Sequence, residues 1–499
     1  MCLAMNQPKR ILSIVNSKFY PLLLFCVSFV FVALFSRSTS FLYVFEGGDP
    51  SVFKQMGMAL LKGKTLFVDY FDNKGFLLYL IHAIGLALGG NFAILLMQAI
   101  SLTVTLVIWD KMLALTRKAK GRVIGLVIIL FLLLCLYATG DQSQEWCLPF
   151  SSYPLLVYYQ SLFKKRNIKP WQFFFIGICS GIITFIIANG TIAILGVLIY
   201  LWFKYLRQKD FKNFFSSLLY VGLGFLVITG SILLYFYLKA GWHGINEMLY
   251  ASFFSNLEYI GHKTHRGAHF FLPYMFFLLA LSTVFIINSC KEKDVLIPSI
   301  VAIILFGLTN GKLFNNYYLI ALLPLCVVLL MTFDPTRHRK IKMIISCLTL
   351  CVFSIYAGIH VFQLVNDALL GNEKERKIYD DFHHCFEQIP FQERDSVYNY
   401  NLYTYVTSMM QHEGYIQCNR VLFTSLTFML PTLWKEEISK PFNPPKWMLI
   451  SFDMPYIKED AHYIAENYDL VCSFPYDRVY WRKPKIGEEF DVYLYRRKD

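Results

Sequence analysis

The sequence predicts a polytopic α-helical membrane protein, with about 11 spans in residues 1–364 and a small extracytoplasmic α/β or α+β domain in residues 365–499. Three observations predict it. The chain of 499 residues is 56% hydrophobic and only 16% charged, whereas soluble chains carry about 25% charged residues. Apolar runs of about 17–24 residues, long enough to cross the hydrocarbon core as helices, recur as far as residue 364. Beyond that point the composition turns polar, and helix-like pieces (367–387, 458–467) alternate with strand-like ones (Ser396–Tyr400, Trp447–Ser451, Asp491–Tyr495).

The first span, roughly 19–37, follows Lys9, Arg10 and Lys18. A basic flank and an apolar run with no small-x-small cleavage site make it an uncleaved signal-anchor. The next apolar piece, 76–88, is short for a span, and it decides the topology. If it crosses the membrane, the basic linkers at 116–122, 164–166, 204–212, 291–294 and 337–342 all fall outside. If it is re-entrant or interfacial, those linkers and the N-terminus share the cytoplasmic side, where basic loops gather. The second arrangement is the expectation, with spans near 19–37, 92–113, 123–140, 147–163, 171–187, 190–206, 215–238, 270–288, 295–309, 316–332 and 343–364. It describes a multi-pass inner (plasma) membrane protein whose C-terminal domain is extracytoplasmic, and periplasmic in a Gram-negative cell.

The basic loops also account for much of the net charge of +13. With no long basic face, nucleic acid is excluded as a partner. Most of the 12 cysteines lie in apolar runs as small apolar residues. Cys385, Cys418 and Cys472 lie in the polar tail, with room for one disulfide whose pairing the sequence leaves open.

The topology gathers the polar segments on the outer face, and the densest is the loop 38–90. It holds Glu46, Asp49, Asp69 and Asp72, followed by Asn73-Lys74-Gly75. Asp49-Pro50 suits the start of a helix, with Asp49 as its N-cap. The run Ser51–Lys62 carries Val52, Phe53, Met56, Ala59 and Leu60 on one side and is stopped by Gly63, the pattern of a helix lying along the membrane surface. Asp49 is then a carboxylate at the lipid boundary, placed to deprotonate an acceptor hydroxyl. Lys74 either snorkels to the interface or holds a lipid phosphate, with Gly75 letting the backbone approach. Asp69 and Asp72 are solvated acids, partners of Lys74, or weak candidates for a divalent cation; no other cofactor is called for. Asp141 and Glu145 after the third span either assist substrate binding or belong to a solvated loop. The 256–266 loop (Asn256, Glu258, Tyr259, His262, His265, Arg266) could bind sugar. Lys312 and Tyr317 could meet phosphate or sugar, or simply form an interfacial belt.

From Asp49 to Tyr79 the chain resembles the GT-C superfamily of membrane glycosyltransferases, in the branch of the protein O-mannosyltransferases and the lipid A aminoarabinose transferases. That branch has an acid in the first outer loop, an interfacial helix ending in Gly, and a Lys-Pro-Pro-Leu-Leu-Tyr segment that falls without gaps on Lys74-Gly75-Phe76-Leu77-Leu78-Tyr79. The resemblance implies that Asp49 is the catalytic acid and Lys74 the donor-phosphate contact. Many relatives carry Asp-Glu where this chain has Asp49-Pro50, and the acid preceding the lysine is here Asn73, with Asp72 one place earlier. The implied reaction is inverting transfer of a sugar from a polyprenyl-phosphate donor to an envelope glycan, lipid or protein acceptor on the outer face. Around Asp49 and Lys74, the substrate contacts expected are Glu46, Asp72, Asn73, Glu145, Lys312 and Tyr317. The rival readings are a transporter or flippase of lipid-linked saccharides, a polysaccharide ligase of another membrane fold, and a non-catalytic envelope assembly protein. Transport needs ionisable residues at mid-membrane depth, and these spans have almost none.

Overall fold

The computed structural model describes residues 15, 17–36, 38, 48–136, 140–256, 258, 294–295, 297–298, 300–302, 305, 319–332, 358, 361–362, 365, 372–400, 404–418, 420, 445–450, 457–475 and 491–498. The expected spans at 270–288 and 343–364 lie almost wholly outside these residues, as does much of 295–309.

Apolar helices make up most of the first part: α1 (Tyr20–Phe35), α2 (Gly48–Leu61), α3 (Phe76–Leu113), α4 (Ala119–Leu136), α5 (Ser143–Lys164), α6 (Pro170–Thr184), α7 (Ile192–Arg207), α8 (Phe211–Leu249) and α9 (Leu319–Thr332). Among the described residues, Phe76–Leu113, Ala188–Arg207 and Phe211–Phe254 are long and apolar enough to cross a membrane. The region 239–256, expected as part of a polar loop, is instead helical, with a break at Ala240–Gly241 and a π-turn at Tyr250–Phe254.

Helix α3 is bent back on itself. Its backbone leaves the helical region at Gly89 and Gly90, and Gly90 adopts φ 62°, open to glycine at little cost. Gly85 packs directly on Ile94; in a straight helix, residues nine apart stand about 13 Å apart. The two ends of the bundle show what the bend does. At one end Tyr20, which opens α1, lies 3.5 Å from Asp110 near the close of α3, and Arg122 of α4 donates to the same carboxylate at 2.9 Å. At the other end Ser38, just past α1, donates to Asp141, just past α4, at 2.6 Å, while Lys54 of α2 reaches Asn91 at 2.8 Å. Helix α1 therefore runs from the Asp110 end to the Asp141 end, and residues 91–113 run back. Residues 76–88 lie beside α2, with Gly57 against the Ala83 backbone. At about 20 Å they are also shorter than the hydrocarbon core of about 30 Å.

Helix α2 departs from the surface helix expected. Pro50–Gly57 and Ala59 are all buried, including Lys54 and Gln55 on the side expected to be wet. Gln55 is covered by the C-terminal part of the chain, and Lys54 lies against Ser38 and Asn91.

The C-terminal residues build a four-stranded mixed sheet from β1 (Val397–Tyr400), β2 (Trp447–Ile450), β3 (Tyr468–Pro475) and β4 (Asp491–Arg497), in the order β1-β2-β4-β3. β1 and β2 are parallel, while β4 pairs antiparallel with both β2 and β3. Helices α10 (Asn372–Glu387), α11 (Thr404–His412) and α12 (Ile457–Asn467) accompany it. Phe382, Phe386, Val397, Met409, Trp447 and Leu494 belong to a core separate from that of the bundle. A disulfide joins Cys385 of α10 to Cys472 of β3 and leaves Cys418 free.

Candidate active site

The first turn of α2 carries Asp49 exposed at the helix N-terminus, where the macrodipole favours a negative charge. It sits inside the helix rather than at the cap; Ser51 Oγ donates to Gly48 O at 2.8 Å and helps close the turn. The following loop returns the chain to the same place. Asp72 is 3% exposed, and Tyr79 Oη donates to its Oδ2 at 2.6 Å. The Lys74 amide donates in turn to Tyr79 Oη at 3.1 Å, and Lys74 Nζ donates to Asn73 Oδ1 at 3.1 Å. Asn256 Nδ2 binds Asn73 O at 2.9 Å, tying the loop to the end of the 211–256 helical segment.

Burial raises Asp72 above the ordinary aspartate range. The Lys74 ammonium, the Tyr79 hydroxyl and the Asn73 backbone oppose that shift, and the charge of Asp49 adds to it. Asp49, Asp72, Asn73 and Lys74 thus form one electrostatic group: an exposed acid, a buried acid and a half-buried cation. The loop is held rigidly because Gly75 passes so close to the 185–186 backbone that a Cβ would stand 2.2 Å from Phe185 O. Gly75 N and Leu77 N bond there to Ile186 O and Phe185 O, at 3.0 and 2.8 Å. Gly75 therefore serves protein packing, where the sequence suggested room for a phosphate.

Asp69 stands apart. It is exposed, and its Oδ2 accepts from Thr65 N at 2.6 Å, closing a turn. Among the described residues no group of three His, Cys, Asp or Glu side chains is arranged to hold a metal. Glu46, Lys312 and Tyr317 lie outside the described residues, as do Tyr259, His262, His265 and Arg266. Glu258 accepts from Tyr250 Oη at 3.3 Å.

Asp141 and Glu145 correct a second expectation, that of a solvated loop. Asp141 is fully buried, and Glu145 Oε2 accepts from its backbone amide at 3.1 Å. Beneath them a narrow cleft between α1, α3, α4 and α5 is lined by Val32, Gln98, Leu133, Glu145 and Trp146, among others.

The sequence also gave no role to Arg420, Lys54 or His82. Arg420 donates to Glu247 at 2.6 Å and to Phe67 O at 3.2 Å, while Phe71 N bonds to Arg420 O at 2.7 Å. Gln55 Nε2 reaches Thr407 O and Tyr415 O at 3.2 and 3.0 Å, and Tyr70 Oη binds Gln417 O. The 404–420 segment therefore grips both α2 and the loop after it. A histidine inside an apolar run, and a Lys-Gln pair on a helix with large apolar neighbours, were the available signals.

The chain matches the family described as "Putative competence-induced protein Ccs4 N-terminal domain" over residues 9–361. Among solved structures it is similar to ArnT from Cupriavidus metallidurans bound to undecaprenyl phosphate, with a TM-score of 0.59, 12% identity, and coverage of 96% of this chain and 98% of that one. At that identity the likeness shows the fold alone, an ArnT-like one. No curated protein matches the chain.

Proposed function

The chain belongs to the competence-induced Ccs4 N-terminal-domain family, and we propose that it is an inverting glycosyltransferase that moves a sugar from a polyprenyl-phosphate donor to an envelope glycan, lipid or protein acceptor. The observation that carries this reading is the grouping of Asp49, Asp72 and Lys74 at the rim of a GT-C-type fold whose solved neighbour holds undecaprenyl phosphate. In the proposed reaction Asp49 takes the proton of the acceptor hydroxyl. The freed oxygen attacks the anomeric carbon, the bond from that carbon to the phosphate oxygen breaks, and the configuration inverts. Polyprenyl phosphate leaves with the electron pair, its charge met by Lys74. Asp72, locked by Tyr79, sets the loop that presents Lys74. Asp69 and Asp72 are each engaged within the protein, so a divalent cation has little support at this pair.

The Cys385–Cys472 disulfide supports an extracytoplasmic place for the sheet, because such bonds persist in oxidising compartments. The site loop is gripped by the same part of the chain and shares that side. The Asp110 end of the bundle then faces the cytoplasm.

The test uses the full chain in lipid nanodiscs with polyprenyl-phosphate sugars as donors, and mass spectrometry of the acceptors. Asp49→Asn should lower transfer by about 10²–10⁴-fold while undecaprenyl phosphate still binds. Lys74→Met should weaken that binding. Transfer retained by purified Asp49→Asn protein would sink the proposal.

A further inference from the structure

Lys54 is a lysine with no exposed surface, five residues after Asp49 on the same helix. Its ammonium donates to Ser38 O at 2.7 Å and to Asn91 Oδ1 at 2.8 Å. Ser38 in turn donates its hydroxyl to Asp141 Oδ2 at 2.6 Å. Trp146 Nε1 donates to Asp141 Oδ1 at 2.7 Å, and His82 Nε2 lies 3.1 and 3.0 Å from the two carboxylate oxygens. His82 Nδ1 lies 2.8 Å from Leu78 O. A carbonyl and a carboxylate are both acceptors, so each ring nitrogen of His82 faces an acceptor. Lys54, through Ser38, and His82 directly thus converge on the Asp141 carboxylate. Asp141 adopts φ 55°, in the left-handed region that aspartate tolerates better than most residues.

Taking charges out of water is costly, and a pair rarely repays it in stability alone. This cluster joins the chain after α1, helix α2, both halves of α3 and the start of α5. Lys54 is its only member on α2. The neighbouring Gln55, about 100° further round the helix, holds the C-terminal segment. The two side chains fix the helix from different sides, and the Phe53 ring, 5.5 Å from that of His82, adds a contact to the same cluster.

We infer that Lys54 is a positioning residue: by tying α2 through Ser38 and Asn91 to the buried Asp141–His82 cluster, it sets the position of Asp49 against the reacting sugar. This rests on the reading of Asp49 as the base. Lys54 touches no substrate; it acts through the helix, whose first turn lies about 7.5 Å away along the axis.

The experiment compares wild type, Lys54→Met and Lys54→Met/Asp141→Asn, each as the full chain in nanodiscs. Three quantities are read: kcat and KM for the polyprenyl-phosphate sugar that wild type transfers, the denaturation midpoint, and hydrogen exchange at the 48–53 amides. Misplacing a catalytic group by about 1 Å costs up to about 100-fold. Lys54→Met should therefore lower kcat at least about tenfold, with donor KM almost unchanged and faster exchange at 48–53. The double variant also removes the carboxylate charge that Lys54 offsets, and should recover part of the midpoint without recovering kcat. Wild-type kcat in Lys54→Met, or recovery of kcat together with the midpoint in the double variant, would overturn the inference. If wild type transfers no sugar, the glycosyltransferase reading fails, and the exchange data still decide. Acceleration confined to 48–53 supports the tether, and unchanged exchange overturns it.

Discussion

Each end of the helical bundle buries an aspartate, and the two are treated differently. Asp110 is held by Arg122 through Nε at 2.9 Å and through a second guanidinium nitrogen, with Tyr20 at 3.5 Å. The side chains of Arg122 and Asp110 remain 15% and 7% exposed, so water still reaches the pair. Its two members are 12 residues apart and join the end of α3 to the start of α4. Asp141 has no exposed surface, and its partners come from 103, 59 and 5 residues away. The Asp110 pair is a local staple between consecutive helices. The Asp141 cluster is long-range and dry, and it includes a lysine from the helix that carries Asp49. Dry charge clusters are costly to assemble, and this one stands where a short helix must be kept in register with the bundle.

The largest expected effect tests that contrast. Asp141→Ala leaves Lys54, His82 and the Trp146 N–H facing an empty place, and should cost about 3–5 kcal/mol. Arg122→Ala frees a carboxylate that water can reach, and should cost about 1.5–3 kcal/mol. Denaturation in detergent micelles at pH 7 measures both. An equal loss at the two sites would remove the distinction.

The charge of Asp141 sharpens the comparison with a smaller effect. Burial alone would raise its pKa, but the charge and hydrogen bond of His82, the charge of Lys54 and the Ser38 hydroxyl outweigh burial and hold it below the ordinary 3.8. Because the folded value is the lower one, the stabilisation is fully present above the unfolded value and is lost as pH falls through the folded one. Asp141→Asn should therefore be less stable than wild type at pH 6, with the gap narrowing as pH falls below 3.8. A gap that does not change with pH would mean that the carboxylate is not held as an anion.

How much of this was legible in the sequence varies by element. The apolar helices were legible because apolar length depends on composition alone: 19–37 was expected and Tyr20–Phe35 is found, and 171–187 corresponds to Pro170–Thr184. The short piece 76–88 stood out by its length, and the bend at Gly89–Gly90 separates it from residues 91–113. In the site, Asp49 and Lys74 stood out because polar residues beside a span need a reason. Lys54 did not, since a lysine on an amphipathic helix ordinarily marks the wet face; it is enclosed by Ser38 and Asn91, while the 404–420 segment, some 350 residues later, covers the neighbouring Gln55. Asp141 looked like a loop acid for the same reason: its donors are distant in sequence. The eight-residue strand Tyr468–Pro475 and the helix Thr404–His412 were missed. In such pieces tertiary packing overrides weak local preference.

The smallest expected effect concerns the exposed end of α2. Lys62 Nζ lies 2.8 and 2.7 Å from the two oxygens of Asp395, and 5.6 Å from the Tyr415 ring centroid. The geometry resembles that of the buried pairs, but the side chains are 31% and 49% exposed. Water screens the attraction, and ordering two mobile side chains offsets much of what remains, so Lys62→Ala should cost under about 1 kcal/mol. The contribution should also fade between 0.1 and 1 M salt, as the screening length shortens from about 10 to about 3 Å. Exchange at the 48–53 amides should not change, because Lys54 and Gln55 still hold the helix from two sides. If Lys62→Ala destabilises the protein as much as Asp141→Ala does, then α2 is seated from its exposed end, and the dry cluster beneath it is not what fixes Asp49.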